Sequence, residues 1–411
     1  MPRVLLLLPT TTYRTKAFMD AAKRLAVDVV AATELPSALE GKNPSGLMTL
    51  DFLDPKIAAS HVVEFAAHYP VDAVIPVDED TAVAAAWIAG ELKLKHNSVG
   101  SATTAKNKRL MREALKAAGV PVPRFWGFQL DDDLVAQSRE VNYPCVVKPV
   151  FLSTSRGVMR IDDPRQFIPA IHRLEGILEK KDVARRGGAS AREVLVEEFV
   201  PGVEIALEGL LTEGKLQTLA IFDKPDPLDG PFFEETIYIT PPRLSREVQR
   251  SVADTTEAAA RAMGLTRGPV HAELRINDKG PWVIEVAARA IGGLCSRTLR
   301  FGKEGASLEE LIIRHALGED VRAFEREERA AGVMMIPIPK SGVLKQVLGV
   351  ESAKRVANVE DVIITAHVTQ KVAPPPEGAS YLGFIFSRAD SPELAESAIR
   401  EAHRKLDFVI E

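Results

Sequence analysis

Two glutamates, Glu273 and Glu285, stand in apolar runs that read as the arms of a β-hairpin, residues 270–276 and 282–286. Pro281 cannot donate to a ladder. The turn is therefore expected over 277–281, with Ile276 facing Trp282 and Glu273 opposite Glu285. Strand alternation puts His271, Glu273 and Arg275 on one face. Carboxylates opposed across a ladder repel. A divalent cation that takes oxygen ligands, such as magnesium, would remove that repulsion. A solvated face relieved by Arg275 is the competing reading. A second signal is Lys148, at the end of the β-branched run Cys145-Val146-Val147. A buried ammonium is costly unless it meets an anion. The loop Ser153-Thr154-Ser155-Arg156-Gly157 that follows offers hydroxyls, N–H groups and a flexible glycine, the parts of a phosphate cradle. A lysine that merely snorkels at a strand end competes with this. A third signal is 194–204, where an apolar strand meets Glu197-Glu198, then Pro201-Gly202, then Glu204. An apolar slot with backbone edges and a carboxylate suits a purine nucleoside; an acidic strand end with a turn is the plainer alternative.

Composition narrows what these residues can serve. The 411 residues suffice for two or three domains. The 46% hydrophobic and 27% charged content is that of a globular chain with a full core. A net charge of −5 and pI ≈ 6.0 argue against a general nucleic-acid binder. Cys145 and Cys295 are the only cysteines. That excludes a disulfide framework or a structural zinc site and favours a reducing compartment. The apolar run 4–8 is far shorter than the ~20 residues a bilayer needs, and it reads poorly as a signal peptide. A cytoplasmic location, with neither nucleic acid nor membrane as partner, is the expectation.

The elements that must position these side chains fall into three stretches. Strand and helix patterns alternate over the first hundred residues: strands at 4–8, 27–32 and 71–76, helices at 13–25, 55–68 and 80–92. That implies a parallel sheet covered on both faces. No Gly-x-Gly-x-x-Gly follows the first strand, so no dinucleotide site is expected. A helix at 106–118 ends at Gly119, with Pro121 and Pro123 beyond. Strands follow at 145–150, 158–161 and 194–199, with a charged, solvated insertion at 178–192. Hairpins are expected at 203–211 with 215–222 and at 270–286. A charged linker at 325–329 precedes strands near 333–338, 362–368 and 382–387 and a closing helix at 392–406.

Taken in order, Lys108, Lys148, the 197–204 segment and the Glu273, Glu285, Arg289 group resemble the ATP-grasp superfamily over about 104–320. The resemblance implies an α/β parallel-sheet domain at 1–104 and an α+β ATP-grasp core at 105–324. The core would carry a lid subdomain at about 125–205, and a small α+β C-terminal cap would follow at 325–411. It implies that Lys108, Lys148 and Ser155 serve the nucleotide phosphates. Glu197, Phe199 and Val200 would line the adenine slot, Glu204 would hold the ribose, and Glu273 and Glu285 would ligate magnesium or manganese. Within the superfamily, Glu285-Val286-Ala287-Ala288-Arg289 is similar to the L-amino acid ligases, as are Phe233-Glu234-Glu235-Thr236 and Thr240-Pro241. That similarity implies that Glu235 would meet a cationic or amino group, or a second magnesium. Arg289, on the face of Glu285 if the strand continues, would bind a carboxylate or the acyl phosphate. Three positions depart from the common pattern: Ala287 offers no third metal ligand, Phe151-Leu152 replaces a glycine-rich loop start, and Tyr238 stands where some of these ligases carry histidine.

The function implied is an ATP-dependent carboxylate–amine ligase joining amino acids through an acyl phosphate. Other ATP-grasp chemistry, either a bicarbonate-activating carboxylase or a purine-pathway ligase, is the first alternative. A nucleotide-binding regulator without turnover is the second. His61, His68 and His96 have no partners at ligand spacing, and Cys295 reads as packing. The residues do not set the oligomeric state; a homodimer stands as an open expectation.

Overall fold

The computed structural model describes residues 1–411. The first element is a four-stranded parallel sheet, in the order Leu47–Thr49, Asp28–Thr33, Arg3–Leu7, Ala73–Pro76. Leu5, Leu6 and Leu7 of its central strand are fully buried, because helices cover both faces. The short strand Leu47–Thr49 was not foreseen; three residues carry too little periodicity to be read.

The expected helix at 106–118 is present as Lys108–Ala117, and a helix that was not foreseen, Val99–Lys106, precedes it. Asn107 breaks them apart. Its backbone is extended, and its side chain caps the second helix by accepting from the N–H groups of Arg109 and Leu110. Lys108 therefore sits in the first turn of a capped helix, with its direction fixed.

A second four-stranded sheet is antiparallel, ordered Phe125–Gln129, Glu193–Glu198, Cys145–Pro149, Met159–Ile161. The helix Pro164–Leu178 packs beneath it. The segment 178–192 is largely solvated, as expected, but it is also folded. It folds into the helix Lys181–Gly187, buries Val183, and pairs Arg185 with Asp51 and Arg186 with Asp80. Gly202 connects this sheet to the next. Its φ of +122° and the carbonyl of Ile276, 2.2 Å from where a Cβ would stand, admit no other residue.

The large sheet has eight antiparallel strands. Gly280–Ala287, Gly268–Asn277, Val203–Thr212, Lys215–Asp223 and Ile237–Thr240 come first, and Ala330–Ile336, Gly383–Ala389 and Val359–Ile364 continue it. The C-terminal α+β segment thus builds onto the core sheet, through pairing of Ile237–Thr240 with residues 331–334. It adds the helix Pro392–His403 and a small sheet of Lys371–Val372, Gly342–Leu348 and Asp407–Ile410. No helix is long and apolar enough to cross a membrane.

The 270–286 hairpin corrects the expected turn. Asn277 pairs with Gly280 and Ile276 with Pro281, so the turn is shorter than foreseen. A bulge between Glu273 and Leu274 restores the shift, and Glu273 still faces Glu285. Pro281 is tolerated because Gly280–Ala287 is an edge strand.

Candidate active site

A cleft of about 140 Å³ opens between the lid-like sheet and the eight-stranded sheet. Lys108, Lys148, Ser155, Glu197, Phe199, Val200, Glu204, Glu235, Glu273, Glu285 and Arg289 all line it. Every residue singled out from the sequence is brought to one place. What each carboxylate does there differs from expectation in several cases.

At one end lie the lysines. Lys108 Nζ donates to the carbonyl of Leu152 at 2.7 Å and pairs with Glu285 at 3.2 Å. Phe151 and Leu152, the departure from a glycine-rich loop, are buried in the lid core, and their backbone serves as the anchor for Lys108. Lys148 Nζ pairs with Glu197 at 2.6 Å. Burial pulls the Lys148 ammonium below its usual pKa, against Glu197, which holds it up. Glu197 also accepts from Arg112, which is fully buried and donates onward to the carbonyl of Ile284 at 2.6 Å. Burial opposes the charge of Glu197, but Arg112 and Lys148 together hold its carboxyl at about 2. The Glu197 carboxylate is thus taken by two cations. It is a clamp that locks Lys148 onto the helix Lys108–Ala117. The loop after Lys148 is strained: Thr154 and Ser155 both adopt left-handed backbone, φ +57° and +54°. Such conformations persist where surrounding structure imposes them, often at functional sites.

Phe199 meets two guanidinium groups, with Arg160 4.2 Å and Arg275 4.9 Å from its ring centre, and Phe233 lies 6.4 Å away. Arg275 does not relieve Glu273 and Glu285, as the sequence had allowed. It holds Glu204 at 2.9 Å and the carbonyl of Val200 at 2.8 Å.

The acidic middle of the cleft contains a residue that the sequence reading missed. Lys224 is buried and meets Glu204 at 2.9 Å, Glu235 more closely still, and Glu273 at 3.5 Å. Burial disfavours its charge, yet the three carboxylates hold its pKa well above the usual lysine value. Three carboxylates around one ammonium leave surplus negative charge, which falls on Glu235. Burial and the nearby Glu273 push its carboxyl up to about 7. Glu204 is thus already engaged by two cations. The signal for Lys224 was present: like Lys148, it ends a buried strand, Lys215–Asp223. His271, on the face expected for it, bridges Glu208 at 3.2 Å and Glu273 at 3.4 Å. Glu273 lies within ligand distance of Glu204 and Glu235. Lys224 already serves as the cation of that trio, so the open side of Glu273 is the one facing Glu285.

At the far end, the strand stops at Ala287, so Arg289 lies beyond it and not on its continuing face. Its Nε pairs at 2.9 Å with Glu79, which lies just past the end of the strand Ala73–Pro76. Burial works against both charges. Glu79 is raised by burial, whereas its own pairing, with Glu285 beyond, keeps Arg289 above its usual value. Glu79 was missed, although the carboxyl ends of parallel strands are where open α/β sheets place ligands. Cys295, Tyr238, Met335 and Tyr381 close this end. Burial pushes the Cys295 thiol up, which suits packing and not nucleophilic attack.

Buried Lys108 of the helix Lys108–Ala117 and buried Lys148 of the four-stranded antiparallel sheet share one cleft with Glu273 and Glu285 of the eight-stranded sheet, an arrangement that resembles an ATP-grasp site. The chain carries an ATP-grasp domain over residues 141–298 and an L-amino acid ligase C-terminal domain 2 over 334–411. Over those segments, and in its overall fold, the chain is similar to the L-amino acid ligases. The crystal structure of an L-amino acid ligase from Bacillus licheniformis is 28% identical and superposes with a TM-score of 0.84, covering 100% of this chain and 99% of that one. An uncharacterised protein of Sinorhizobium fredii is 28% identical over 304 residues, 74% of this chain and 61% of its own. The alanine–anticapsin ligase of Bacillus subtilis is 27% identical over 244 residues, 56% of this chain and 51% of its own. The chain thus spans about half to three-fifths of the length of these two curated relatives.

Proposed function

We propose that this protein is an ATP-dependent carboxylate–amine ligase that joins amino acids, with ADP and phosphate as by-products. One observation carries the reading. A single cleft places two buried lysines at one end, Glu235 in its acidic middle and Arg289, paired with Glu79, at the other end. The relatives named as amino-acid ligases support the same choice.

In this reading Lys108, Lys148 and the Ser153-Thr154-Ser155 loop receive the nucleotide phosphates, and Phe199, Phe233 and the Val200 backbone flank the base. Phosphoryl transfer needs chiefly positioning and charge neutralisation, which fixed ammonium groups supply. Glu273 and Glu285 fit a divalent cation by chemistry, being facing carboxylates with oxygen donors only. Magnesium there would neutralise phosphate charge; Ala287 adds no ligand. Arg289 receives the substrate carboxylate, whose oxygen attacks the γ-phosphorus as the bond to ADP breaks. The resulting acyl phosphate is attacked by an amine. The new C–N bond forms, phosphate leaves with the C–O electron pair, and the amine sheds a proton. Glu235 lies where that amino group would meet a carboxylate. Guanidinium and carboxylate together suit a zwitterion better than bicarbonate.

The test is to incubate the chain with ATP, magnesium and pairs of amino acids. A condensation product seen by mass spectrometry, with equal phosphate release, is expected. Stimulation of phosphate release by bicarbonate alone, with no amide from any pair, would overturn the reading.

A further inference from the structure

A second cavity, of about 90 Å³, is separate from the cleft. Ala85, Ala86 and Ala89 of the helix Ala82–Glu91 form one wall, with Ile75 and Ile312 opposite. Lys95, His96 and Arg267 also line it. Arg267 gives one Nη to the carbonyl of His315 at 2.9 Å, and no carboxylate pairs with Lys95 or Arg267. Asp72 lines it too, but its carboxylate accepts from the N–H of Arg3 at 2.7 Å and pairs with neither cation. The cavity therefore combines an apolar interior with two cations that no carboxylate pairs.

The sheet edge adds a second, independent feature. Ala73–Pro76 is an edge strand whose only neighbour is Arg3–Leu7. Asp72 donates its N–H to the carbonyl of Arg3 at 2.8 Å. Alternation then turns the N–H groups of Ala73 and Ile75 off the free edge, and no hydrogen bond uses either. Both residues line the cavity and are only 4% and 2% exposed. Buried amide donors without acceptors are rare and costly. A ligand that accepts hydrogen bonds and carries negative charge would satisfy them.

We infer that this cavity binds a small aliphatic carboxylate. An apolar cavity of about 150 Å³ takes benzene, so the hydrocarbon part here is limited to about three or four carbons. The carboxylate takes the edge amides and the charge of Lys95 and Arg267, and the alkyl group fills the alanine-lined interior. The site touches the catalytic cleft through two segments. Ala288 lines the cavity, while its neighbours Ala287 and Arg289 line the cleft. The strand Ala73–Pro76 leads within three residues to Glu79, the partner of Arg289. Occupancy therefore bears on the Glu79–Arg289 pair; this coupling, unlike the binding itself, rests on the ligase reading.

Calorimetry on the full chain, with the cleft filled by a non-hydrolysable ATP analogue and magnesium, should show one saturable site for isobutyrate. Isobutyramide and octanoate should bind at least ten-fold more weakly. Lys95→Glu, at an exposed position, should weaken isobutyrate at least ten-fold, and Ala86→Leu should abolish binding by filling the cavity. The absence of saturable heat would overturn the site. So would equal binding of isobutyramide, indifference to Lys95→Glu, or binding only while the cleft is empty. Isobutyrate should also shift the rate of amino-acid-dependent phosphate release at least two-fold in the wild type but not in Lys95→Glu. Binding with no such shift would overturn the coupling while leaving the site.

Discussion

Replacing Glu197 by Gln removes one negative charge from between two buried cations and changes little else in shape. Arg112 is fully buried, and the side chains of Lys148 and Glu197 are 7% and 3% exposed, so water cannot compensate. Cutting one partner out of a buried ion pair costs ~3–5 kcal/mol. The carboxyl itself gives a similar figure. It moves from its usual 4.5 to about 2 on folding, and at ~1.4 kcal/mol per pH unit that is about 3 kcal/mol. Because the folded value is depressed, this stability is fully present above pH 4.5 and is lost as pH falls towards 2. Urea unfolding at pH 7 should therefore show Glu197→Gln less stable by about 3 kcal/mol, with the gap closing as the pH is lowered below 4.5. Lys148, already pulled below its usual value by burial, should be pulled lower still once Glu197 is gone. ATP affinity should fall about as far as in Lys148→Ala, where about 2 kcal/mol is expected for deleting a buried charged partner. The double variant should lose less affinity than the two single losses added. Unchanged unfolding free energy together with unchanged ATP affinity would refute the idea that Glu197 is the clamp of Lys148.

Glu285→Gln should keep the fold and abolish magnesium-dependent turnover, since a neutral amide is a poor magnesium ligand; near wild-type activity would remove Glu285 from the metal site. Glu79→Gln should raise the KM for the carboxylate substrate at least ten-fold while leaving the KM for ATP near its original value, because Arg289 loses the partner that aims it; equal effects on both would assign Glu79 to stability alone. Hydrogen exchange at 153–157 should slow when ATP and magnesium are added, as expected for a lid that closes. The hydrogen bond from Gly157 N–H to the carbonyl of Pro376 and the Arg173–Glu377 pair already tie this region to the C-terminal segment. No added protection would argue against closure.

The site was legible where a residue broke a local rule. Lys148 at the end of a buried strand and two glutamates opposed across a ladder are costly features that call for a partner, and both lie in the cleft. The sequence could not say which partner each charge takes. Glu197 reads as a strand-end acid until Arg112, 85 residues away in the chain, is seen against it. Arg275 is next but one to Glu273 and yet turns to Glu204, because the strand Val203–Thr212 pairs alongside. Glu79 and Arg289 are 210 residues apart. Their meeting depends on how the parallel sheet packs on the large one, which no local pattern encodes. The facing of Glu273 and Glu285 was found through compensating errors: Ile276 meets Pro281 and not Trp282, and a bulge makes up the difference. The C-terminal strands were read one by one, but their joining to the core sheet through Ile237–Thr240 depends on long-range pairing.

The charges of the cleft are sorted, and that sorting is what suits it to join two substrates. At the lid end, Lys108, Lys148 and Arg112 outnumber Glu197 and Glu285, three cations against two carboxylates. In the middle, Glu204, Glu235 and Glu273 outnumber Lys224 and Arg275, three carboxylates against two cations. At the far end, Arg289 and Glu79 balance. Each imbalance is buried, where an uncompensated charge costs far more than in water. The protein reduces that cost by sharing: Lys224 serves three acids, Glu197 serves two cations, and Glu235 sits near neutrality at about 7. What remains is a site short of negative charge at one end and of positive charge in the middle. A polyphosphate answers the first need, and a cation or a substrate ammonium answers the second. A ligand carrying only one of these signs would leave the other imbalance in place, which is why the whole cleft fits a nucleotide and an amino acid together better than either alone.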